Sequence, residues 1–449
     1  MKPIRDSVIN RRIFFEIAGA GLAGYFLSPL DLGAQTGTIT QRPAVVMNSA
    51  RNVIFVLLTG AASHVDTFDL KVGPWTPANF GATTLDGVDF PAGLFPTLAS
   101  QWGRFSLLRS CQSNALVHSL LQTWNQIARN PASPSGGIAP NIGSVVALEF
   151  EPTRSRAQIL PGFVSLNTGG SVARNGYFPA RYSPFDVTAN SGGLANLRHP
   201  DGETAFNDRM MVLQAFNQVN PLRLDFDQMR DFYAGAQSLM SDPAVNNVFR
   251  FTGADQQRYG NTGFGNSCIV ARNLIGADLG TRYFQINLGG WDNHTNIYAG
   301  NGGIYNPSRQ LDIGLGNLIA DLAGMPGING RTRLDETLIV VKGEFGRTVG
   351  NLNNRNGRDH YAVHSTLFAG GGVIGGRAIG GTTPDGRFID RPGWSQERAV
   401  GPEDIAATIY SALGINYTTT RRDDPLGRGF EYVPPTATWP AYPVVELFQ

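Results

Sequence analysis

Short apolar runs separated by helical segments are the feature that most constrains the fold of this chain. Asn52–Leu58 (NVIFVLL) is almost continuously apolar, as expected for a strand buried on both faces of a parallel sheet. Residues 105–108, 283–288 and 337–341 are further segments of strand length, and helical periodicity separates them. This alternation predicts a three-layer α/β/α sandwich with a mostly parallel central sheet.

Polar residues directly follow the predicted strand at 337–341. Glu344 lies where that strand meets its loop, Arg347 comes next, and a Gly- and Asn-rich loop covers residues 350–357. The loop ends in Asp359 and His360. Because ligands of open α/β sheets bind outside the carboxyl ends of strands, this stretch predicts one side of a functional site.

The chain contains only six histidines. Four of them lie near the end or start of a predicted strand, at positions 64, 294, 360 and 364. A parallel sheet brings such strand ends together, so sparse histidines at these places indicate one polar site that holds a metal.

Asp292 and His294 form a candidate ligand pair. They are two positions apart, so an extended backbone points both side chains the same way, and a carboxylate and an imidazole can share a metal. His360, with the preceding Asp359, could complete the set. The alternative is that Asp292 caps a turn and His294 lies on the surface.

His64, Asp66 and Glu344 are further candidate metal ligands. Asp66 could equally accept hydrogen bonds in a turn. Glu344 could be a ligand or a base, or it could pair with Arg347 or Arg358 in a salt bridge. In a cleft, these two arginines could clamp an oxyanion bidentately; otherwise they are solvated loop charges.

Ser113, His118 and Arg347 are the candidate catalytic residues. Ser113 lies where a strand passes into a helix, a position that favours an anion and can activate a nucleophile. It could equally serve as a helix cap. His118 lies on that helix, where a single histidine is more often a satisfied core residue.

The composition argues against a nucleic-acid binder. The net charge is +1 and charged residues make up 16% of the chain, so no basic face is implied. The two cysteines, Cys111 and Cys268, allow at most one intramolecular disulfide, and two buried free thiols are the favoured interpretation.

The N-terminal segment predicts export. Arg11 and Arg12 precede Phe14-Phe15 and a short apolar stretch at residues 17–27, a pattern typical of a twin-arginine signal peptide. We predict a signal peptide at 1–34, a linker at 35–50, and a single domain at 51–449 with a loop-rich insertion at about 131–205. An uncleaved N-terminal anchor is the alternative. The mature protein is then periplasmic or secreted, with no stable membrane span.

Six spaced motifs follow one another along the chain: TGAASHVDTFD at 59–69, YGNTGFGN at 259–266, GGWDNH at 289–294, GEFGRT at 343–348, RDHY at 358–361 and GGGVIGG at 370–376. They resemble those of the bacterial domain of unknown function 1501 proteins, which are commonly twin-arginine exported and related to the alkaline phosphatase and sulfatase superfamily. The resemblance covers about residues 50 to 416.

This resemblance implies an alkaline-phosphatase-like domain and hydrolysis of phosphate or sulfate esters with one or two metals. Asp292, His294 and His360 would match the first metal site of the superfamily, and Glu344 would match an aspartate of the second. The chain departs from that pattern at Gly60 or Ala61, where a metal-binding aspartate is expected, and at Phe345, where a histidine is expected.

These departures predict one well-formed metal position rather than two, unless His64 and Asp66 rebuild the second. Residues 111–115 (CQSNA) also lack the Cys-x-Pro-Ser-Arg signature of sulfatases.

The function expected from the sequence is therefore metal-dependent hydrolysis of a small anionic ester or a glycan-borne ester. The metal is a divalent ion, zinc first, with manganese or calcium as alternatives. The second hypothesis is a non-catalytic binding or assembly protein that retains a degenerate metal or anion site on the same fold. Partners are the ester substrate and the twin-arginine export machinery, with no nucleic acid.

Overall fold

An eight-stranded sheet forms the centre of the protein. The computed structural model describes residues 39–40, 42–195, 200–219, 239–240, 242–300, 302–435 and 440–449. The strands of the central sheet, numbered in chain order, are β1 (Asn52–Leu58), β2 (Phe105–Gln112), β3 (Phe163–Leu166), β4 (Phe185–Val187), β5 (Tyr283–Leu288), β6 (Thr337–Gly343), β7 (Val363–Ala369) and β8 (Arg377–Ile379). Their order across the sheet is β8-β2-β7-β6-β1-β5-β3-β4.

The sheet is mostly parallel, as predicted. Strand β7 is antiparallel to both of its neighbours, β2 and β6. The other neighbouring pairs of the central sheet are parallel. The antiparallel strand enters the sheet directly after the loop that carries His360.

Helices cover both faces of the sheet. Along β1, Ile54 and Val56 belong to one buried cluster and Val53 and Phe55 to the other, because successive side chains of a strand point to opposite faces. The predicted three-layer α/β/α sandwich is therefore confirmed. The helices are Pro96–Ala99, His118–Ile127, Ile142–Phe150, Gly202–Val219, Pro243–Val248, Gly253–Arg258, Gly263–Ala277, Tyr305–Gly324 and Pro402–Ala412.

Short strands outside the central sheet shape its loops. The pair that matters for the site joins Gly346–Arg347 to His360–Tyr361, with Arg347 opposite His360. The other short strands are Ile39–Thr40, Ala82–Leu85, Val88–Pro91, Gly381–Thr382, Ile389–Arg391, Thr420–Arg421 and Phe430–Glu431.

The region at 131–205, which the sequence indicates as an insertion, contributes β3, β4 and the helix Ile142–Phe150. The predicted signal segment at 1–34 lies outside the described residues. The division of the chain into segments stays a prediction. Cys111 and Cys268 are both buried and free. Within the described ranges, no helix combines the length and apolar character needed to cross a membrane.

A buried ion pair joins two loops at the carboxyl end of the sheet. Arg358 Nε donates to Asp66 Oδ2 at 2.7 Å, and both side chains are 0% exposed. The remaining donors of Arg358 go to Asp66 Oδ1, the Tyr298 hydroxyl and the carbonyls of Thr348 and Gly350. All five N–H donors of the guanidinium are thus paired, which fixes the residue that immediately precedes Asp359 and His360.

We predict that Arg358→Met lowers the free energy of unfolding by about 3–5 kcal/mol, because it leaves the Asp66 carboxylate buried without its counter-charge. Urea unfolding followed by tryptophan fluorescence measures the change. The matched control is Arg42→Met: Arg42 is 61% exposed in its ion pair with Glu431, and its loss should be below about 1 kcal/mol. Similar losses in the two variants would contradict a stabilising role for the buried pair.

Candidate metal centre

The candidate site lies at the carboxyl ends of β1, β5 and β6, where the sequence predicts it. The loop after β5 carries Asp292 and His294, and His360 lies in a short strand paired with the residues after β6. His118 is the first residue of the helix that follows β2. Three segments distant in sequence thereby bring four side chains to one place.

Four ligand atoms meet in this site, one each from His118, Asp292, His294 and His360, all within 4.8 Å of one another. His360 Nε2 lies 3.0 Å from His118 Nε2 and 3.0 Å from His294 Nε2. Asp292 Oδ1 lies 3.4, 3.1 and 3.9 Å from the Nε2 atoms of His118, His294 and His360. Two tetrahedral ligands of one zinc ion, each about 2.0–2.2 Å from it, are about 3.3–3.6 Å apart, so the spacing fits a single ion.

The other nitrogen of each imidazole is committed to an acceptor. His118 Nδ1 lies 2.7 Å from Glu344 Oε1, and His294 Nδ1 lies 2.7 Å from Asp359 Oδ1. His360 Nδ1 lies 2.8 Å from the carbonyl oxygen of Leu116. A carboxylate or a carbonyl can only accept, so each Nδ1 carries the proton.

In its neutral form, each ring therefore points the lone pair of its Nε2 at the shared point. A hydrogen bond between two of these Nε2 atoms would require a second proton on one ring. Three lone pairs and a carboxylate oxygen repel one another unless a cation lies among them. Nδ1 held by a carboxylate or carbonyl is also the usual outer arrangement of histidines that bind metal.

Burial and neighbouring groups shift the pKa values of His118, His360 and Asp292. The hydrogen bond to Glu344 raises the pKa of His118 above its usual value, against the effect of burial. Burial lowers the pKa of His360, although the Leu116 carbonyl opposes this. Burial acts to raise the pKa of Asp292, but the hydrogen bond and charge of Arg347 outweigh it and lower that pKa. Asp292 is therefore ionised at neutral pH.

Arg347 is almost completely buried beside the ligand atoms. Its Nη2 donates to Asp292 Oδ1 at 2.6 Å, and Nη1 lies 3.3 Å from His294 Nε2. Its other donors bind the backbone carbonyls of residues 60, 61 and 358. Four of its five N–H donors bind backbone carbonyls and Asp292, and the fifth is directed towards His294 Nε2, so Arg347 positions the ligands and does not offer the free fork that an oxyanion clamp needs. Arg358 is likewise fully engaged elsewhere.

The two departures from the superfamily pattern have a steric explanation. The ring of Phe345 is fully buried and packs against His118 and His360, with centroids 4.8 and 4.6 Å apart. At Gly60, φ is +103° and an added Cβ would lie 2.6 Å from the backbone nitrogen of Asp292. An apolar ring and a close backbone approach are therefore found at the two positions where the family resemblance led us to expect a histidine and an aspartate.

Other candidates lie outside the group of four. His64 Nε2 lies 2.9 Å from the Gly386 carbonyl, and Asp66 is engaged by Arg358. Both side chains thus contact neighbouring loops and lie apart from the four converging ligand atoms. Ser113 is buried and donates to the backbone carbonyl of Glu344 at 2.6 Å, so its hydroxyl does not face the ligand atoms.

Glu344 and Asp359, predicted as ligands, instead hold the ligands His118 and His294. The sequence indicated His118 as catalytic, whereas the structure places its Nε2 among the ligand atoms. Gln122, one helical turn after His118, also donates to Glu344 Oε1 at 2.9 Å and was not predicted. The i, i+4 spacing of these two residues on one helix face was the available signal.

Solved structures with a similar chain course include the lipoteichoic acid synthase LtaP from Listeria monocytogenes, at 11% identity and TM-score 0.36, covering 84% of this chain and 76% of that one. A protein of the alkaline phosphatase superfamily from Vibrio parahaemolyticus is 11% identical with TM-score 0.36, covering 86% and 72%. Alkaline phosphatase from the Antarctic bacterium TAB5 is 16% identical with TM-score 0.29, covering 72% and 92%. At these values the likeness assigns no activity or ligand to this chain.

A search of the curated proteins finds no match to this chain. A family model does match, over most of the chain and over all the residues of the metal-ligand group. It covers residues 50–433 and is described as "Protein of unknown function (DUF1501)". The match confirms the family indicated by the motifs, and the chain belongs to the DUF1501 family.

Proposed function

We propose that the protein is a metal-dependent hydrolase of a phosphate, sulfate or similar ester, with one divalent ion bound by His118, Asp292, His294 and His360. The observation that carries the proposal is the convergence of three imidazole lone pairs and a carboxylate oxygen within 4.8 Å. The charge of a divalent ion removes the repulsion among these four atoms.

The donor set favours zinc. Zinc binds imidazole nitrogen and carboxylate oxygen in four-coordinate sites, and three of the four donors here are nitrogens. Calcium takes about 6–8 oxygen ligands and suits this set poorly. Manganese is the remaining alternative, because it prefers oxygen donors but accepts imidazole.

The ion would supply Lewis acidity, which polarises an ester oxygen and activates water at neutral pH. The chain's own residues position the ligands. Glu344 and Asp359 fix the tautomers of His118 and His294, and the Leu116 carbonyl fixes that of His360. The guanidinium of Arg347 places a positive charge beside the ligand atoms, which favours the approach of an anionic ester.

Water is the proposed nucleophile. In the described part of the chain, no hydroxyl or thiol group hydrogen-bonds with any of the four ligand side chains. Ser113 is held by a backbone carbonyl on the far side of Glu344. Asp292 is about half exposed, so solvent reaches the ligand atoms.

The ligand count favours a second candidate function, a non-catalytic metal-binding protein. Four protein ligands fill a tetrahedral shell, as in structural zinc sites, whereas catalytic zinc usually keeps an open position. Catalysis at this site requires either a fifth ligand position or release of Asp292. A measurement of turnover on metal-loaded protein separates the two functions.

We further propose that the protein is exported by the twin-arginine route to the periplasm or beyond. The pair Arg11-Arg12 ahead of a short apolar stretch supports this proposal. Export of an already folded chain is compatible with loading of the metal before translocation.

We predict that metal-stripped protein binds one equivalent of zinc and that the loaded protein releases phosphate or sulfate slowly from 4-nitrophenyl esters. With one ion, the site lacks the clamp on both attacking and leaving oxygens that two ions provide. Calorimetry gives the stoichiometry, and release of 4-nitrophenol gives the rate. His294→Ala should abolish both.

The control for this experiment is Asp335→Asn, an exposed carboxylate just before β6 and hence at the opposite end of the sheet. It should retain binding and turnover. Two tight equivalents, or unchanged binding in His294→Ala, would contradict the proposed site. Full zinc occupancy without turnover on any phosphate or sulfate ester would establish the non-catalytic function instead.

We predict that Glu344→Gln weakens zinc binding by about 10–100-fold near pH 8, because it removes a carboxylate that orients a ligand. It should also move the loss of binding to lower pH. A proton competes with the metal for His118 Nε2, and the raised pKa of His118 depends on Glu344. Without the carboxylate that pKa falls, so competition begins at a lower pH.

Zinc affinity of the wild type and of Glu344→Gln, measured between about pH 5 and pH 8, tests this prediction. An unchanged midpoint in Glu344→Gln would show that His118 does not contribute its Nε2. Asp335→Asn again serves as the control and should follow the wild-type curve.

We predict that replacing both Arg11 and Arg12 by lysine retains the precursor in the cytoplasm. The change keeps the charge and removes only the paired guanidinium groups that the route recognises. Cell fractionation and the size of the product measure it. Arg5→Lys is the matched control, and normal periplasmic yield of the doubly changed protein would refute the route.

A further inference from the structure

A cavity of about 550 Å³ lies beside the candidate metal centre, and the short strand His360–Tyr361 separates the two. Neighbouring residues of a strand point to opposite sides, so His360 faces the ligand group while Tyr361 lines the cavity. Leu116 also lines it, and its carbonyl lies 2.8 Å from His360 Nδ1. The volume falls within the range of about 300–1,000 Å³ typical of small-molecule sites.

The cavity combines apolar surfaces with polar groups of both signs. Phe388 and Leu116, both lining residues, are 61% and 41% exposed, so their apolar surfaces are available to a ligand. Arg387 and Gln112 provide donors, and Glu397 provides a carboxylate.

Glu397 has φ +46°, a left-handed conformation that is costly for a residue other than glycine and that is often found at functional sites. Arg398 also lines the cavity. It donates two hydrogen bonds to Asp404, at 2.6 and 2.8 Å, and this ion pair neutralises its charge. The cavity therefore lacks the concentrated positive charge that a polyanion would require.

The loop at 383–388, which carries Arg387 and Phe388, is held by the residues of the metal-site motifs. His64 Nε2 lies 2.9 Å from the Gly386 carbonyl, and the Tyr361 hydroxyl donates to the Arg387 carbonyl at 2.9 Å. The rings of His64 and Tyr361 are stacked, with centroids 6.5 Å apart and planes inclined by 10°.

Hydrogen bonds within the loop at 383–388 also stabilise it. Thr383 Oγ1 accepts from the backbone nitrogen of Phe388 at 3.1 Å, and Asp385 Oδ1 accepts from that of Arg387 at 3.0 Å. These bonds hold Arg387 and Phe388 at the cavity in one arrangement. His64, expected from the sequence as a metal ligand, acts here as a support of this loop.

We propose that the cavity binds a saccharide ring of the substrate, so that the hydrolysed ester is one carried by a sugar. This inference rests on the proposed hydrolase function. A sugar ring has apolar C–H faces that stack on aromatic rings such as Phe388 and Tyr361. Its hydroxyl groups both donate and accept, which matches a carboxylate, a guanidinium and an amide around an apolar floor.

The test measures binding without hydrolysis. Saturation-transfer NMR and calorimetry on the zinc-loaded protein use the methyl glycosides of glucose, galactose, N-acetylglucosamine and glucuronic acid. The comparison compound is 4-nitrophenyl sulfate, an ester with a ring but no sugar. We expect at least one glycoside to bind, and we expect Phe388→Ala and Arg387→Ala each to weaken it tenfold or more while both still bind one equivalent of zinc.

Matched controls are Ile328→Ala and Arg104→Ala, an exposed apolar residue and an exposed arginine that precede β6 and β2 at the opposite end of the sheet. They should bind the glycoside as wild type does. The proposal is overturned if zinc-loaded protein binds no glycoside, if Phe388→Ala binds it unchanged, or if 4-nitrophenyl sulfate competes for the cavity as strongly as the best glycoside. Glycoside binding by a protein that binds no zinc would instead refute the hydrolase while supporting the cavity.

Discussion

Two buried guanidinium groups hold together the loops that carry the metal-ligand group. Arg358 joins the loop after β1, through Asp66, to the segment that leads into His360. Arg347 joins the carbonyls of residues 60 and 61 to Asp292 and His294. A buried guanidinium with an unpaired donor is costly, so these loops cannot shift without breaking several charge-assisted hydrogen bonds at once. The ligand atoms are thus placed by arginines that bind no substrate.

The central strands could be predicted from the sequence because a strand buried on both faces must be apolar along its length. The bounds expected for β1 and β5 match those observed. The bounds of strand β7 (VHSTLFA) were not predicted, because polar residues interrupt its apolar pattern. Its His364 and Ser365 are nevertheless buried, since a strand in the middle of the sheet has neither face in water. This strand is buried because of its position in the sheet, and the local sequence does not reveal that position.

The candidate site could likewise be predicted only in part from the local sequence. Asp292, His294 and His360 could be predicted because their spacing and their place after strands restrict what they can do. The roles of His64, Asp66 and Glu344 depend on partners more than 200 residues away in sequence. An acidic residue after a strand can bind metal, hold a histidine or pair with an arginine, and only the tertiary partner distinguishes these. Glu344 contacts the ligand-group residue His118 directly, whereas His64 and Asp66 bind neighbouring loops.

The proposed site with one metal position would also constrain how a substrate is oriented. Two ions can fix both ends of the reacting ester, whereas one ion fixes a single oxygen and leaves the ester free to rotate about it. Phe345 packs against His118, and a Cβ at Gly60 would clash with the backbone of Asp292. Orientation must then come from contacts with the organic part of the substrate. In our proposal the cavity across the strand His360–Tyr361 provides such contacts, and His64 and Tyr361 support the loop that forms one of its walls.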